Sequence, residues 1–182
     1  MKKNRKNLKL LLSKKKINNR ITELAKQISK DYKGKKPVFI GVLNGSFIFL
    51  ADLIRNMSID CEVAFINAKS YSGNKSTGKI EILDDMNLNI FEKDIIIVED
   101  IIDSGRTIKF LYDRFMRLSP NSIEIASLLY KPSDIQFDFP IAFIGFEIPQ
   151  VFVVGYGLDY NGKMRHLDSI YFIDSTSKQL KG

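Results

Sequence analysis

The sequence lacks tryptophan and contains a single cysteine, Cys61, and a single histidine, His166. A lone cysteine excludes an internal disulfide, and the two counts together exclude the usual zinc ligand sets. Cys61 lies in an apolar stretch, so we interpret it as a small core residue. Long apolar runs are missing too, since the longest, such as Ile95–Val98, fall far short of the roughly 20 residues of a membrane span.

An excess of positive charge is also missing outside the first 20 positions. Residues 1–20 hold nine lysines and arginines and no acid, whereas the other 162 residues hold 19 basic and 21 acidic side chains. A nucleic-acid-binding protein would be expected to carry basic residues across its body. We therefore predict no nucleic-acid partner and interpret the basic arm as a solvated, partly frayed end. The arm also lacks the apolar region and cleavage site of a signal peptide, so we expect a cytoplasmic protein without membrane attachment.

Strands and helices alternate along the chain. Ile17, Ile21, Leu24 and Ile28 have the spacing of one helical face. Nearly all-apolar segments predict buried strands at 38–43, 61–68, 94–98, 123–129, 141–146 and 151–155. This alternation predicts an α/β fold with a mostly parallel central sheet flanked by helices. We expect a single domain over residues 1–182, with a core of about 36–156 and a small cap formed by the chain ends, about 1–35 and 157–182.

The segment Ile95–Ile108, IIIVEDIIDSGRTI, carries the most specific chemical signal. Its apolar strand runs into two acids, Glu99 and Asp100, and a short polar loop ending in Gly105 then opens a helix. Backbone N–H groups at such a helix start bind phosphate, and a glycine allows its close approach. The negative charge of these acids would repel phosphate. Their carboxylate oxygens can instead accept hydrogen bonds from the hydroxyl groups of a sugar diol. Phosphate and diol together predict a site for a ribose 5-phosphate.

Two commoner nucleotide-binding motifs are absent. Residues 105–107 imitate the end of a Walker A loop, but the glycine required five residues before Gly105 is Asp100. The sequence contains no GxGxxG, so the dinucleotide fingerprint is missing as well. The segment is therefore read as a sugar-phosphate site rather than as part of either motif.

The run VEDIIDSGRT, residues 98–107, resembles the phosphoribosyl pyrophosphate (PRPP) signature of type I phosphoribosyltransferases. Segments at 41–53, 69–78, 126–132, 146–149 and 151–167 resemble hypoxanthine-guanine phosphoribosyltransferases in order and spacing. This resemblance implies a purine-salvage enzyme that transfers the phosphoribosyl group of PRPP to hypoxanthine or guanine, giving IMP or GMP and pyrophosphate. It further implies Mg²⁺ as cofactor and a homodimer or homotetramer.

The resemblance implies roles at the phosphoribosyl end of the site. Glu99 and Asp100 would hold the ribose hydroxyls, and the metal ligands would come from these two residues and Asp159. The 5-phosphate would be bound by the loop residues Asp103, Ser104, Gly105, Arg106 and Thr107. The pyrophosphate would be bound by Asn44, Gly45 and Arg165. Family members commonly carry Lys or Arg where this chain has Asn44, so this turn would act through its backbone, with a strained or cis peptide.

At the purine end, the resemblance implies that Asp103 faces the purine N7 as general base, a role that typically contributes about 10²–10⁴-fold to the rate. Lys131 would donate to the purine O6, Phe152 would stack on the base and Val153 would contact its edge, with Asp159 nearby. Ser70 and Tyr71 would lie on a lid within the polar loop 69–79 that excludes water. The resemblance gives His166 no role, so we interpret it as structural.

Two rival interpretations remain open. A regulator could use the same fold to bind RNA, with PRPP or a nucleotide as effector, and the basic arm would be its support. Alternatively, the enzyme could prefer xanthine. Adenine is disfavoured, because its 6-amino group cannot accept the hydrogen bond that Lys131 would donate.

Overall fold

The computed structural model describes residues 8–70, 80–84, 89–132 and 137–173, with the backbone alone at 69–70 and 80–84. Strands and helices alternate through most of these residues. The elements are β1 (Leu8–Leu12), α1 (Lys14–Asp31), β2 (Val38–Leu43), α2 (Phe47–Arg55), β3 (Glu62–Ser70), β4 (Ile80–Asp84), β5 (Asp94–Ile102), α3 (Arg106–Met116), β6 (Ser122–Tyr130), β7 (Phe143–Glu147), β8 (Val153–Val154) and β9 (Ile170–Ile173).

Among the described residues, six strands form the main sheet in the order β4-β3-β2-β5-β6-β7. Strand β2 pairs in parallel with β3 and β5, and β6 pairs in parallel with β5 and β7, whereas β4 returns antiparallel to β3. The predicted mostly parallel sheet flanked by helices is confirmed. Because parallel strands end at the same edge, the loops after β2, β5 and β6 are brought together there.

Strand β5 is buried on both faces, which accounts for its unbroken apolar run. Ile96 and Val98 pack into a cluster with α1 and α2, whereas Ile95 and Ile97 pack into a cluster with α3. All four side chains are fully buried. Helical layers on both faces therefore fix the central strand, and with it the loop that follows Ile102.

Helix α1 has the apolar face that its sequence predicts. Ile17, Ile21, Leu24 and Ile28 are buried along it. Ser13 caps its start, with the hydroxyl accepting a hydrogen bond from the Lys16 N–H. The helix packs against α2 and β7. None of the helices in the described ranges has the length and apolarity needed to cross a membrane.

The basic arm differs from our prediction of a frayed end. Leu8–Leu12 form a strand antiparallel to β9, which also pairs with β8, so these elements make a second sheet in the order β1-β9-β8. Arg20 donates hydrogen bonds to the carbonyls of Ile144 and Gly145 at 2.8 and 2.9 Å. The prediction considered charge alone and was wrong here, because four of the five residues of Leu8–Leu12 are leucines and they pair with a strand about 160 residues away. The predicted boundaries of core and cap stay a prediction.

Candidate active site

The loop between β5 and α3 forms the strand–turn–helix arrangement that the sequence predicts for a phosphate site. Gly105 has a φ of +67°, a left-handed conformation that favours glycine, and precedes the helix. The first intrahelical bond joins the Lys109 N–H to the Gly105 carbonyl at 2.9 Å, so the N–H groups of the first turn are not used within the helix. A Cβ at position 105 would overlap the Phe137 ring. Of the predicted loop residues, Asp103, Ser104 and Gly105 lie in this turn, and Arg106 and Thr107 begin α3.

The two acids lie within β5 rather than after it, because the strand continues to Ile102. Glu99 is 9% exposed, and its Oε2 has no hydrogen-bond partner among the described residues. Burial, and secondarily the charge of Asp100, raises the pKa of Glu99 well above its ordinary value. A buried carboxyl oxygen without a partner is costly, and a ligand hydroxyl or cation that reached it would offset that cost.

Asp100 is half-buried, and burial raises its pKa to about 6. The N–H of Ile101, which donates to its Oδ1 at 2.9 Å, and the charge of Arg165 both lower this pKa, whereas the charge of Asp159 raises it. Asp159 and Arg165 therefore lie close enough to Asp100 to act on it electrostatically. This brings the end of β5 together with a turn almost 60 residues further along the chain.

The turn after β2 lies against Asp100. The Leu43–Asn44 peptide is cis, as the resemblance implied for this turn. A Cβ at Gly45 would overlap the Asp100 carboxylate, and a Cβ at Gly157 would overlap the Gly45 carbonyl. Gly45 is thus held between the acid on β5 and the segment after β8, and only glycine fits at both contact points.

Asp159 and Arg165 form an ion pair in that segment, with 2.7 Å between Oδ1 and Nη2. The other Asp159 oxygen accepts a hydrogen bond from the Gly162 N–H at 2.6 Å. Arg165 also donates to the Gly157 carbonyl. The predicted pyrophosphate residues Asn44, Gly45 and Arg165 thus lie around Asp100 and Asp159.

No group of three or more carboxylate, histidine or cysteine side chains converges as a metal cage within the described parts of the chain. Mg²⁺ commonly binds one or two carboxylates and completes its shell with water and substrate phosphate oxygens. Asp100 and Asp159 fit that pattern, because the charge of Asp159 raises the pKa of Asp100 and a cation would offset that repulsion. The donor set therefore suits Mg²⁺ arriving with a phosphorylated substrate.

The other end of the site contains the predicted purine residues. The Lys131 Nζ donates to Asp103 Oδ2 at 2.9 Å, and the Lys131 side chain is only 9% exposed. Phe152 is 53% exposed and lies edge-on to Tyr160, with ring centroids 5.8 Å apart. Val153 follows in β8. Lys131 is thus a buried cation beside a carboxylate, and Phe152 offers an exposed aromatic ring. Groups of these kinds can recognise a flat heterocycle with adjacent acceptor and donor atoms.

The predicted lid is only partly within the described residues. Ser70 ends β3, and nothing is described of its side chain, while Tyr71 lies outside the described residues.

Three residues that contact this site were missed by the sequence reasoning. Tyr156 lies between two glycines, and its hydroxyl donates to Asp52 on α2. Phe137 covers Gly105. The Gly-Tyr-Gly run was a usable signal for an unusual backbone, but nothing in the local sequence distinguishes Asp52 from a surface acid or Phe137 from a core aromatic.

Comparison with known proteins identifies the family of the chain. Residues 8–161 match the family model described as phosphoribosyl transferase domain. The chain is 47% identical over 154 residues to the hypoxanthine phosphoribosyltransferase of Salmonella typhimurium, covering 83% of this chain and 86% of that protein. It superimposes on the Staphylococcus aureus hypoxanthine phosphoribosyltransferase with a TM-score of 0.88 at 37% identity, covering 94% and 95% of the two chains. The Trypanosoma cruzi enzyme in complex with its product IMP gives a TM-score of 0.86 at 34% identity, covering 94% and 97%.

Proposed function

The chain belongs to the phosphoribosyl transferase family, and we propose that it transfers the phosphoribosyl group of PRPP to hypoxanthine or guanine, releasing pyrophosphate. The observation that carries this proposal is the 2.9 Å contact between Lys131 and Asp103. Asp103 begins the phosphate loop, so this contact joins a polar base-recognition pair directly to a sugar-phosphate site. A purine nucleotide has the same two parts, joined by the bond that the reaction forms.

The phosphoribosyl group is bound by β5 and the loop after it. Backbone N–H groups at the start of α3 and the hydroxyls of Ser104 and Thr107 hold the 5-phosphate. Glu99 and Asp100 accept hydrogen bonds from the ribose hydroxyls. Two observations support this role: Glu99 Oε2 has no hydrogen-bond partner among the described residues, and burial raises the pKa of both acids. Bound hydroxyl groups would supply hydrogen bonds to these buried carboxyl oxygens.

Departure of pyrophosphate leaves positive charge at the ribose C1, as in other glycosyl transfers. The turn at Asn44 and Gly45 holds the pyrophosphate through backbone groups, and Arg165 contacts it through its guanidinium. Asp100 and Asp159 would hold Mg²⁺, which offsets the negative charge of the leaving group.

The purine is oriented by two adjacent groups and an aromatic face. Lys131 donates to O6, and Asp103 accepts the proton at N7, which makes N9 a better nucleophile toward C1. Phe152 stacks on the ring and Val153 contacts its edge through the backbone. Xanthine stays a second candidate substrate, because it also carries the 6-oxo group that Lys131 recognises.

A second copy of the chain covers the exposed apolar side chains at the start of α2 and on β3. Phe47, Val63 and Phe65 are 42%, 39% and 44% exposed. The side chains of Phe65 and of Leu50 on α2 both border the space beside Gly41. Apolar surface shared by a strand and a helix in this way is typical of an interface between subunits.

The decisive experiment supplies PRPP and Mg²⁺ with hypoxanthine, guanine, xanthine or adenine in turn and measures the nucleotide and pyrophosphate formed. We expect product with hypoxanthine or guanine and none with adenine. Equal turnover with adenine, or none with any 6-oxopurine, would reject the proposed substrate class.

Replacing Lys131 by methionine should raise the KM for hypoxanthine by about tenfold or more, because a hydrogen bond to a charged group contributes about 1.5–3 kcal/mol. Methionine keeps the buried aliphatic stem, so folding should be retained. Steady-state kinetics with hypoxanthine varied at saturating PRPP measure the change. Lys35→Met is the matched control, since Lys35 also pairs with an acid, Asp94, at 3.1 Å but at the opposite edge of the sheet. An unchanged hypoxanthine KM in the Lys131 variant would refute the O6 assignment.

Two deletions at the amino terminus should distinguish the contribution of the basic arm to activity from that of strand β1. Deleting residues 2–6 should leave activity largely intact, whereas deleting 2–12 removes β1 and leaves β9 unpaired on one side. Strand β9 supports the Phe152 backbone through the Ile173 N–H at 3.2 Å. We therefore expect the longer deletion to raise the purine KM by at least about fivefold through misplacement of the stacking residue. Equal kinetics for the two deletions would show that the second sheet does not position the base.

A further inference from the structure

The segment that carries Asp159 and Arg165 begins with an unusual run of backbone conformations. Gly155, Tyr156 and Gly157 have φ angles of +98°, +51° and +98°. Glycine adopts such angles freely, but for tyrosine the left-handed region costs about 1 kcal/mol or more. Tyr156 is nonetheless 4% exposed and well packed. A residue held in this conformation is fixed by its surroundings rather than by its own preference.

The tyrosine hydroxyl supplies one such fixing contact. It donates a hydrogen bond to Oδ2 of Asp52, whose other carboxylate oxygen accepts from Arg55 in the next turn of α2. Burial, and then the hydrogen bond to Asp52, raises the pKa of Tyr156 above its ordinary value. The raised pKa favours the protonated hydroxyl, which is the form that donates to Asp52.

Tyr156 is next to Gly157, where the segment that carries Arg165 contacts the Gly45 turn of the proposed pyrophosphate site. Gly157 lies directly against the Gly45 carbonyl, and its own carbonyl accepts from Arg165. Asp52 lies on α2, which starts just after the Gly45 turn. The hydrogen bond between Tyr156 and Asp52 therefore ties α2, which follows the Gly45 turn, to the segment that carries Arg165.

One side of the hydrogen bond between Tyr156 and Asp52 borders a cavity rather than closely packed side chains. A cavity of about 550 Å³ is lined by Asp52, Tyr156, Ile48, Leu167 and polar residues of α1. The hydrogen bond borders open space, so neighbouring side chains cannot hold α2 and the Tyr156 segment at a fixed separation from that side.

We propose that Tyr156 and Asp52 are a positioning pair that sets the spacing between the Gly45 turn and Arg165, and so determines the affinity for pyrophosphate and for the pyrophosphate group of PRPP. The inference rests on the proposed function for the identity of this ligand. Neither residue contacts the reacting atoms; each acts through the backbone that it holds.

Tyr156→Phe removes the hydroxyl and keeps the ring. We expect the KM for PRPP, and the dissociation constant of magnesium pyrophosphate measured by calorimetry, to rise by about fivefold or more. The dissociation constant of IMP, which lacks the pyrophosphate, should change by less than about twofold. The matched control is Tyr32→Phe, since Tyr32 is a 5% exposed tyrosine whose hydroxyl bonds to Ser122 at the far edge of the sheet.

Variants of Asp52 separate positioning from general damage. Asp52→Asn keeps an acceptor for the tyrosine hydroxyl and should retain most of the pyrophosphate affinity, whereas Asp52→Ala should reproduce the effect of Tyr156→Phe. The double variant Tyr156→Phe, Asp52→Ala should be no weaker than either single variant, because both remove the same hydrogen bond.

Unchanged pyrophosphate affinity in Tyr156→Phe would overturn the inference, and so would an equal loss of affinity for pyrophosphate and IMP. The calorimetric comparison needs no turnover. A wild-type protein that binds pyrophosphate but forms no nucleotide would therefore contradict the proposed function and still leave the positioning role to be judged on the binding data.

Discussion

Replacing Asp103 by asparagine should lower kcat by at least about tenfold, and by up to about 10⁴-fold if its role as base accounts for the usual contribution of such a group. Asparagine has the same shape, and its amide oxygen can still accept the Lys131 hydrogen bond. It cannot take up the proton at N7, however, so N9 gains no nucleophilic character. The loss should therefore lie in turnover, with the KM for PRPP little changed.

The design of this test isolates the carboxylate from the loop that carries it. Asp103 is exposed, with 57% of its side chain accessible, but asparagine leaves the buried Lys131 without its counter-charge, so we expect a modest fall in melting temperature with the fold retained. Phosphate binding uses backbone groups of the same loop, and IMP affinity reports on it independently. Turnover like that of the wild type would remove Asp103 as the base, whereas loss of IMP binding would indicate damage to the phosphate loop instead.

The main sheet and the phosphate loop could be predicted from local sequence, because their signals are short and dense. Strand β5 is buried on both faces, so its residues Ile95–Val98 form an apolar run that only a central parallel strand explains. The loop after it is recognised by the order of acids, glycine and threonine. Both patterns are set by one segment of chain and need no knowledge of its partners.

The second sheet could not be predicted, because its signal is divided between distant segments. Leu8–Leu12 is short and flanked by lysines, and Ile170–Ile173 is only four residues long. Each gains its stability from pairing with the other, and a single sequence gives no register between residues so far apart. Asp52 could not be predicted for the same reason, because the role we propose for it depends on its hydrogen bond to a tyrosine about 100 residues away.

The site residues were predicted from the family resemblance, but their electrostatic relations come only from the fold. The sequence places Glu99 and Asp100 at the end of an apolar run. It does not show that the first has a buried oxygen without a partner among the described residues, or that the charges of Asp159 and Arg165 act on the second. These contacts explain why the site is costly to build and which ligand atoms would offset the cost.

Replacing Asp100 by asparagine should therefore separate stability from activity. We expect turnover to fall by about 10²-fold or more, because the substitution removes an acceptor for the ribose diol and a carboxylate suited to Mg²⁺. The folded protein should nevertheless be as stable as wild type or more stable at pH 8 without ligands. Burial raises the pKa of Asp100 from 3.8 to about 6, so its ionised form is disfavoured in the folded state.

The sign of the pH dependence follows from that shift. A carboxyl group whose pKa is higher in the folded state binds its proton more tightly there, so its contribution to stability is fully present below about pH 4 and is lost as the pH rises through about 6. Asparagine has no such dependence. The advantage of Asp100→Asn in melting temperature should be largest at pH 8 and should shrink toward pH 4.

Glu62→Gln is the matched control for this experiment, since the Lys93 hydrogen bond lowers the pKa of Glu62 and its variant should lose stability at pH 8 instead. Melting curves at pH 4.5, about 6 and 8, without metal or substrate, measure both differences. A less stable Asp100→Asn protein at pH 8 would mean that the ionised carboxylate is well solvated or paired in the free enzyme. In that case the acid would be part of the scaffold, and its position beside Gly45 and Arg165 would have a structural rather than a ligand-binding cause.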